Sequence, residues 1–530
     1  MKEYDVIVIG GGHNSLIVAG CLAKIGLKVA LFERRHEFGG GLCSEEVTIP
    51  GFYHNLHSTF HVFRQDLPVY RFLELDKYIR YIRPPIQQGY AYSDGTCLVF
   101  YTDLDKTCAS IARFSKKDAD TYRDLVSRFR GIATKELYSA PLPPDQRDAL
   151  YTGTEAGREY LAFGKKSPRE LVDSLFLDDR IRAFMLFNMC IYGLTDDYPQ
   201  TGTYLIRSIT SAFHMQIVQG GSHQLAHAFT NAVLDAGGMV FENCQVERII
   251  VNGGEATGVE LAPGSSYPQR VITARKAIVA GIDHVQTFLT LVGEEQLASS
   301  LVEKIKGWKL EEWALLGIHL ALNEPARYKA ARFNPDIDQA LMWSFGYDHP
   351  DDLAEHWREI RAGELPSRPG GNCTCLTRFD PSQAPPGKHT GIFWQFSPFD
   401  LKDGGSAKWD EVKYDYLESC LDRWREYAPN LNEKNILAKA AYSPLDITRK
   451  NISMRMGGAH HGRYSYDQLG YFRPCEELSQ YRTPIKNLYI TGSSTHPGGA
   501  ITGAPGYNCL NIMAGDLGLK KVWEETPTEA

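Results

Sequence analysis

Asp5-Val6-Ile7-Val8-Ile9-Gly10-Gly11-Gly12-His13-Asn14-Ser15 opens the chain with a short strand-like run that breaks into glycines. An apolar-periodic stretch to Gly26 reads as a helix, and Lys28-Val29-Ala30-Leu31-Phe32-Glu33 reads as a second strand. Strand, glycine loop, helix and strand in this order make a βαβ unit. In Gly10-x-Gly12-x-x-Ser15 the first glycine permits the tight turn and the second lets backbone N–H groups approach a pyrophosphate. The third position must be small so that helix and strand can pack, and serine is small enough. Glu33 follows eighteen residues after Ser15, at the end of the second strand, where a carboxylate binds ribose hydroxyls. An ordinary strand-to-helix turn shares the glycines but not this whole context.

The next residues point to FAD rather than NAD. Glu33-Arg34-Arg35 leads after three residues into Gly39-Gly40-Gly41, a second flexible segment where the isoalloxazine end of an extended dinucleotide must pass. Near the C-terminus, Asn487 to Gly492 is a strand that runs into Gly492-Ser493-Ser494-Thr495-His496-Pro497-Gly498-Gly499 and then a helix from Ala500 to about Leu517. A helix N-terminus there can stabilise negative charge on a reduced flavin. The expected cofactor-binding residues are Gly10, Gly12, His13, Asn14, Ser15, Glu33, Arg34, Gly40, Gly41, Gly492 and Gly499.

Between these ends the pattern changes twice. Residues 84–214 carry long helical periodicities, such as Asp118 to Arg130 and Pro168 to Tyr192, with few β-rich runs. From Gly220-Gly221 the chain returns to α/β character, with Met239 to Glu242 as a strand and a small meander over Val246 to Val251, Glu255 to Leu261 and Arg270 to Thr273. Ala277 to Ala280 then reads as a buried parallel strand. Trp313 to Leu322, Ala340 to Tyr347 and Thr390 to Phe396 suggest an antiparallel sheet, with Asp348 to Gly371 as a surface loop holding a short helix. The expected fold is α/β: a Rossmann-type FAD-binding domain, discontinuous in sequence, with a mixed α+β substrate domain. The FAD-binding parts are residues 1–83, 215–300 and 481–530; the substrate domain takes residues 84–214 as its helical part and 301–480 as its sheet part.

Composition narrows the function. A net charge of -7 with no basic block argues against a nucleic-acid partner. The eleven cysteines have no regular spacing, and Cys373 and Cys375 lack a second pair to complete a zinc site, so no metal is expected and the thiols fit a cytosol-like compartment. The first strand leaves no room for a leader peptide, and the apolar stretch from Phe184 to Leu194 is too short to span a membrane. A cytoplasmic protein is expected, with peripheral membrane contact left open.

These blocks resemble the phytoene desaturase (carotenoid desaturase) family of FAD enzymes, and within it the branch of the pyridine nucleotide-disulphide oxidoreductase domain-containing proteins. The resemblance rests on Ile9 to Asn14, Glu33-Arg34-Arg35, Gly39-Gly40, Gly51-Phe52, Gly220-Gly221, Gly457-Gly458-Ala459-His460-His461-Gly462, Asp467-Gln468-Leu469 and Thr495 to Gly499. It implies a Rossmann-type FAD domain, a separate substrate domain, and desaturation or isomerisation of apolar substrates. Ser15 departs from the usual glycine, and Leu42 from the arginine common in related amine oxidases, which argues against amine oxidation. A disulphide reductase would need a redox cysteine pair and a second dinucleotide fingerprint; Cys43 has no partner nearby and no second fingerprint follows a strand.

The expected reaction is FAD-dependent desaturation of an apolar or amphipathic small molecule, with dioxygen or a quinone as external acceptor. The alternatives are a redox-neutral isomerase or saturase on reduced FAD, and a non-catalytic flavoprotein that acts as an interaction partner. Trp343, Phe345, Phe393, Trp394 and Phe396 are expected to wall the substrate cavity. Among the histidines, His496 sits in the loop expected to cap the flavin and His461 in a glycine-flanked loop; both are candidates for proton chemistry. His54, His57 and His61 can be metal ligands, acid/base groups or structural polar residues.

Overall fold

The computed structural model describes residues 3–62, 67–191, 193–211 and 214–525. Its first sheet runs in the order Val246–Asn252, Glu255–Leu261, Val271–Ala280, Glu3–Ile9, Val29–Phe32 and Met239–Phe241, with Leu488–Ile490 also paired to Val271–Ala280. Glu3–Ile9 is parallel to both its neighbours, and Leu488–Ile490 and Met239–Phe241 continue the parallel pairing at either side. Helices His13–Lys24, His223–Asp235 and Ala504–Asp516 pack together on one face of the sheet. Cover on both faces is why Val6 to Ile9 and Val29–Phe32 are uninterrupted apolar runs.

Val271–Ala280 unites what the sequence divides into a meander strand and a parallel strand. Its first half pairs antiparallel with Glu255–Leu261 and its second half parallel with Glu3–Ile9. The charged Arg275 and Lys276 hide this continuity; Arg275 reaches Asp5 at 2.9 Å across the strand pair.

The second sheet runs Ile436–Tyr442, Ala314–Leu322, His389–Ser397, Gly371–Thr374, Met342–Phe345, Ile86–Ala91 and Cys97–Tyr101. It corrects three expectations. The sheet is mixed, because Met342–Phe345 pairs parallel with Ile86–Ala91. Residues 84–214 begin with two strands of this sheet; Gln87-Gln88-Gly89 gives the first a polar look although Gln87 and Gln88 are buried. Pro350–Arg361 is a full helix of 12 residues, and Gly371–Thr374 is a central strand rather than the end of a loop.

The helical periodicity of Pro168 to Tyr192 divides into Pro168–Leu175 and Asp179–Cys190, with Tyr192 outside the described residues. The break is fixed by two buried or half-buried carboxylates. Asp178 caps the second helix by accepting from the N–H groups of Arg180 and Ile181. Asp118, on helix Lys116–Ala133, accepts from the N–H groups of Leu177 and Asp178 at 2.9 Å each. Among the described residues, no helix is long and apolar enough to cross a membrane.

Candidate active site

A cavity of about 490 Å³ extends from the glycine loop at residues 10–12 to the inner face of the second sheet. At one end, Gly10 holds φ +85° as the chain leaves the first strand. Gly12 caps helix His13–Lys24 with no side chain, so the first-turn N–H groups keep their positive end toward the cavity. A Cβ added at Gly12 would touch no protein atom within 4 Å; the space beside it opens into the cavity. Glu33 lies on the same wall, fixed by the N–H of Gly11 at 2.6 Å and of Arg35 at 2.9 Å. Arg34 also lines it.

Gly39-Gly40-Gly41 carries the wall onward. The N–H of Gly39 donates to the Gly11 carbonyl at 2.8 Å, and Gly40 comes so close to Gly12 that a Cβ there would sit 3.3 Å from its Cα. Gly492 and Ser493 line the cavity from the C-terminal segment. This arrangement could hold a dinucleotide: an open helix N-terminus, a carboxylate at the end of the second strand, and bare backbone in between.

Two expected cofactor residues serve the frame instead. Ser15 is fully buried against Gly281 and does not reach the cavity; Gly499 packs on the backbone of Ala459 and His460. Asn14 does both jobs, lining the cavity while its Oδ1 accepts the N–H of Gly506 at 3.1 Å, which ties helix His13–Lys24 to helix Ala504–Asp516. His13 lines the cavity at the helix start.

At the far end Trp313, Leu315, Trp394 and Phe396 make an apolar wall. Strand alternation selects them. Leu315 pairs with Phe396, and Asn372 with Trp394, so these four share one face of the sheet. Phe393 and Trp343 pair with Cys373 on the opposite face, Phe345 two residues beyond Trp343 pairs with Gly371 on that same face, and all three are fully buried in the core that packs against helix Trp409–Tyr427. The expectation that Trp343, Phe345 and Phe393 wall the cavity is therefore corrected. Asn372 and Trp313 are lining residues that sequence reading missed, the first because its strand looked like a loop, the second because only the register shows which face it takes.

The histidines separate in the same way. His496 does not line the cavity: its Nε2 meets the Glu136 carbonyl at 2.9 Å, and the Tyr481 hydroxyl donates to its carbonyl at 2.6 Å. This corrects its expected place over the flavin; the loop turns the ring back toward the helical layer. His461 and His460 do line the cavity, as does His57. His54 and His61 are tied to Thr48 Oγ1 at 2.8 Å and Ser58 Oγ at 3.1 Å, so the three histidines of this segment do not converge on one point. Burial, reinforced by Arg473, pulls His461 down to about 4; burial, with Arg35 and His461 adding to it, pulls His57 down to about 3. Both are neutral imidazoles near neutral pH. The described residues contain one close grouping of possible metal ligands, Glu37, Cys43 and Glu45, and the Lys450 ammonium already sits on its carboxylates.

The fold, with a largely apolar cavity continuing from its glycine loop, is that of a dinucleotide-dependent oxidoreductase. Residues 8–74 match the family described as NAD(P)-binding Rossmann-like domain. A limonene dehydrogenase subunit from Castellaniella defragrans is 33% identical, over 99% of this chain and 97% of its own length. Pyridine nucleotide-disulfide oxidoreductase domain-containing protein 2 from Rattus norvegicus is 29% identical over 97% of this chain and 94% of its own, and the lycopene-forming phytoene desaturase of Pseudescherichia vulneris 23% over 96% and 99%. An oxidoreductase structure from Methanosarcina mazei shares the fold at TM-score 0.62 and 16% identity, covering 97% of this chain and 100% of that one. The chain belongs to the phytoene desaturase-like family of flavin-dependent oxidoreductases.

Proposed function

We propose that this protein is an FAD-dependent dehydrogenase that removes two hydrogens from an apolar or amphipathic small molecule and passes the electrons to dioxygen or a quinone. The observation that carries this reading is the continuity of one cavity from the Gly12 cradle, past Gly39-Gly40-Gly41 and Gly492-Ser493, to the wall of Trp313, Trp394 and Phe396. Bound FAD supplies a two-electron acceptor. The chain's own residues then divide the work. The start of helix His13–Lys24 would hold the pyrophosphate and Glu33 the ribose, while the aromatic wall would exclude water and orient the substrate. His57 and His461 face the chamber as neutral bases.

The relatives support an apolar substrate, since limonene and phytoene, named for two of them, are hydrocarbons. All eleven cysteines are free thiols, which supports a reducing, cytoplasmic compartment. Anaerobic mixing with a panel of apolar hydrocarbons and alcohols, limonene included, tests the reading. One of them should bleach the oxidised flavin without NADPH, and dioxygen or a quinone should restore the colour. Conversion that requires a pre-reduced flavin and consumes no acceptor would establish an isomerase instead.

A further inference from the structure

We propose that Glu311 and Arg473 are positioning residues that hold the imidazole of His461 in the chamber, where it accepts the proton released as the substrate is dehydrogenated. This rests on the dehydrogenase reading above. The Glu311 carboxylate is buried, and its two oxygens are spent on the two residues that flank His461. Oε1 accepts the N–H of His460 at 2.7 Å, and Oε2 accepts the N–H of Gly462 at 2.9 Å. Residue 461 is thereby pushed outward with φ +59°, a left-handed conformation that a non-glycine residue keeps only where its surroundings fix it. Gly458 makes room for the carboxylate, since a Cβ there would lie 2.4 Å from Glu311 Oε2.

Arg473 holds the other side of the loop. It is fully buried, and its Nη2 donates to the His460 carbonyl at 2.8 Å and to the Ser493 carbonyl at 2.9 Å. The histidine loop is thus joined to the Gly492-Ser493 turn of the cofactor cradle. Two buried charged side chains whose hydrogen bonds all go to backbone around one half-buried ring are an expensive arrangement for mere packing.

His57 also lines the chamber, but the hydrogen bonds of Glu311 and Arg473 hold the loop of His461. His57 has its Nδ1 against the Met454 thioether at 3.1 Å, and His460 is wedged between Trp313 and Tyr464. Among the described residues nothing hydrogen-bonds the half-buried His461 ring, which faces the cavity. The charged or titratable groups around it are Arg473, Glu311, His57 and His460. In the step proposed, one substrate C–H bond breaks with its electron pair passing as hydride to the flavin. The neighbouring C–H or O–H bond then leaves its pair to form the double bond, and its proton bonds to a nitrogen of His461. Dioxygen or a quinone afterwards takes the two electrons.

The test uses the FAD-loaded full chain with ¹³C-labelled histidine rings. Glu311→Gln replaces one acceptor by an N–H donor that opposes a backbone N–H, so the His461 ring resonance should move and its titration midpoint should shift by about half a pH unit or more. The resonances of His54 and His496 should stay. An unmoved His461 resonance in Glu311→Gln overturns the positioning role. His461→Ala leaves the loop's backbone bonds in place and serves where Glu311→Gln does not fold. With the apolar compound of the panel that bleaches the unmutated enzyme as the anaerobic probe, limonene first, it should slow flavin bleaching about 100-fold and abolish the loss of rate at acid pH, with FAD content unchanged. Bleaching at the unmutated rate and pH profile overturns the proton role. The bleaching measurement uses whichever member of the panel bleaches the unmutated enzyme; if none does, the dehydrogenase reading and the proton role fall together, and the ring resonances still judge the positioning.

Discussion

Trp394 and Phe393 are consecutive on one strand yet belong to different parts of the molecule: Trp394 lines the reaction chamber, while Phe393 lies 5.8 Å from the Trp424 ring in the core beyond the sheet. Truncation should separate them. Phe393→Ala should cost about 3–5 kcal/mol of stability, as a large buried ring leaves a cavity. Trp394→Ala should raise the KM for an apolar substrate about tenfold, with a smaller loss of stability. Thermal melts and steady-state kinetics on the two variants check this, and the reverse ranking would place the chamber on the wrong face.

Gly12→Val tests the cradle. Space beside Gly12 is open within the protein itself, so the substitution should leave the apoprotein folded and remove cofactor binding. Circular dichroism and flavin absorbance on the same sample read both effects. Full flavin content in the variant would move the pyrophosphate away from the helix start.

His496→Ala should behave as a structural change. Loss of the contact with the Glu136 carbonyl should lower stability by about 1–3 kcal/mol and leave the rate of flavin reduction within about threefold of the unmutated value. A slowed reductive half-reaction at unchanged stability would return His496 to the active site.

Acid should destabilise the fold in a predictable window. Burial holds His54, His57, His284 and His460 down to about 3, and His356, His461 and His496 down to about 4. An unfolded histidine titrates near 6.5, so below that pH the unfolded state binds protons that the native state refuses. Stability is therefore complete above about pH 6.5 and falls as pH drops toward 4, each histidine contributing up to about 1.4 kcal/mol per pH unit. Urea midpoints from pH 7 to 4.5 measure the slope; a flat profile would contradict the buried, neutral imidazoles.

The cradle was legible in sequence because its chemistry is local. Gly10, Gly12 and Glu33 act through turn geometry and spacing along one βαβ unit, and these are written in consecutive residues. The chamber was not, because it depends on register between distant strands. Whether Trp394 or Phe393 faces the cavity is decided by pairing with Asn372 and Gly317, far away in the chain. Strands with polar centres, Gln87-Gln88-Gly89 and Asn372-Cys373-Thr374, were invisible to hydrophobic patterning because their polar groups face the protein interior. Glu311 and Arg473 carry no motif at all; only the fold shows that both close on the loop around His461.

The cofactor released from the purified protein tests the central claim most directly. Denaturation followed by chromatography and mass spectrometry should yield FAD, bound non-covalently at about one per chain, with the flavin absorption present before denaturation. Release of NAD alone, or a colourless protein that takes up no FAD on reconstitution, would contradict the account.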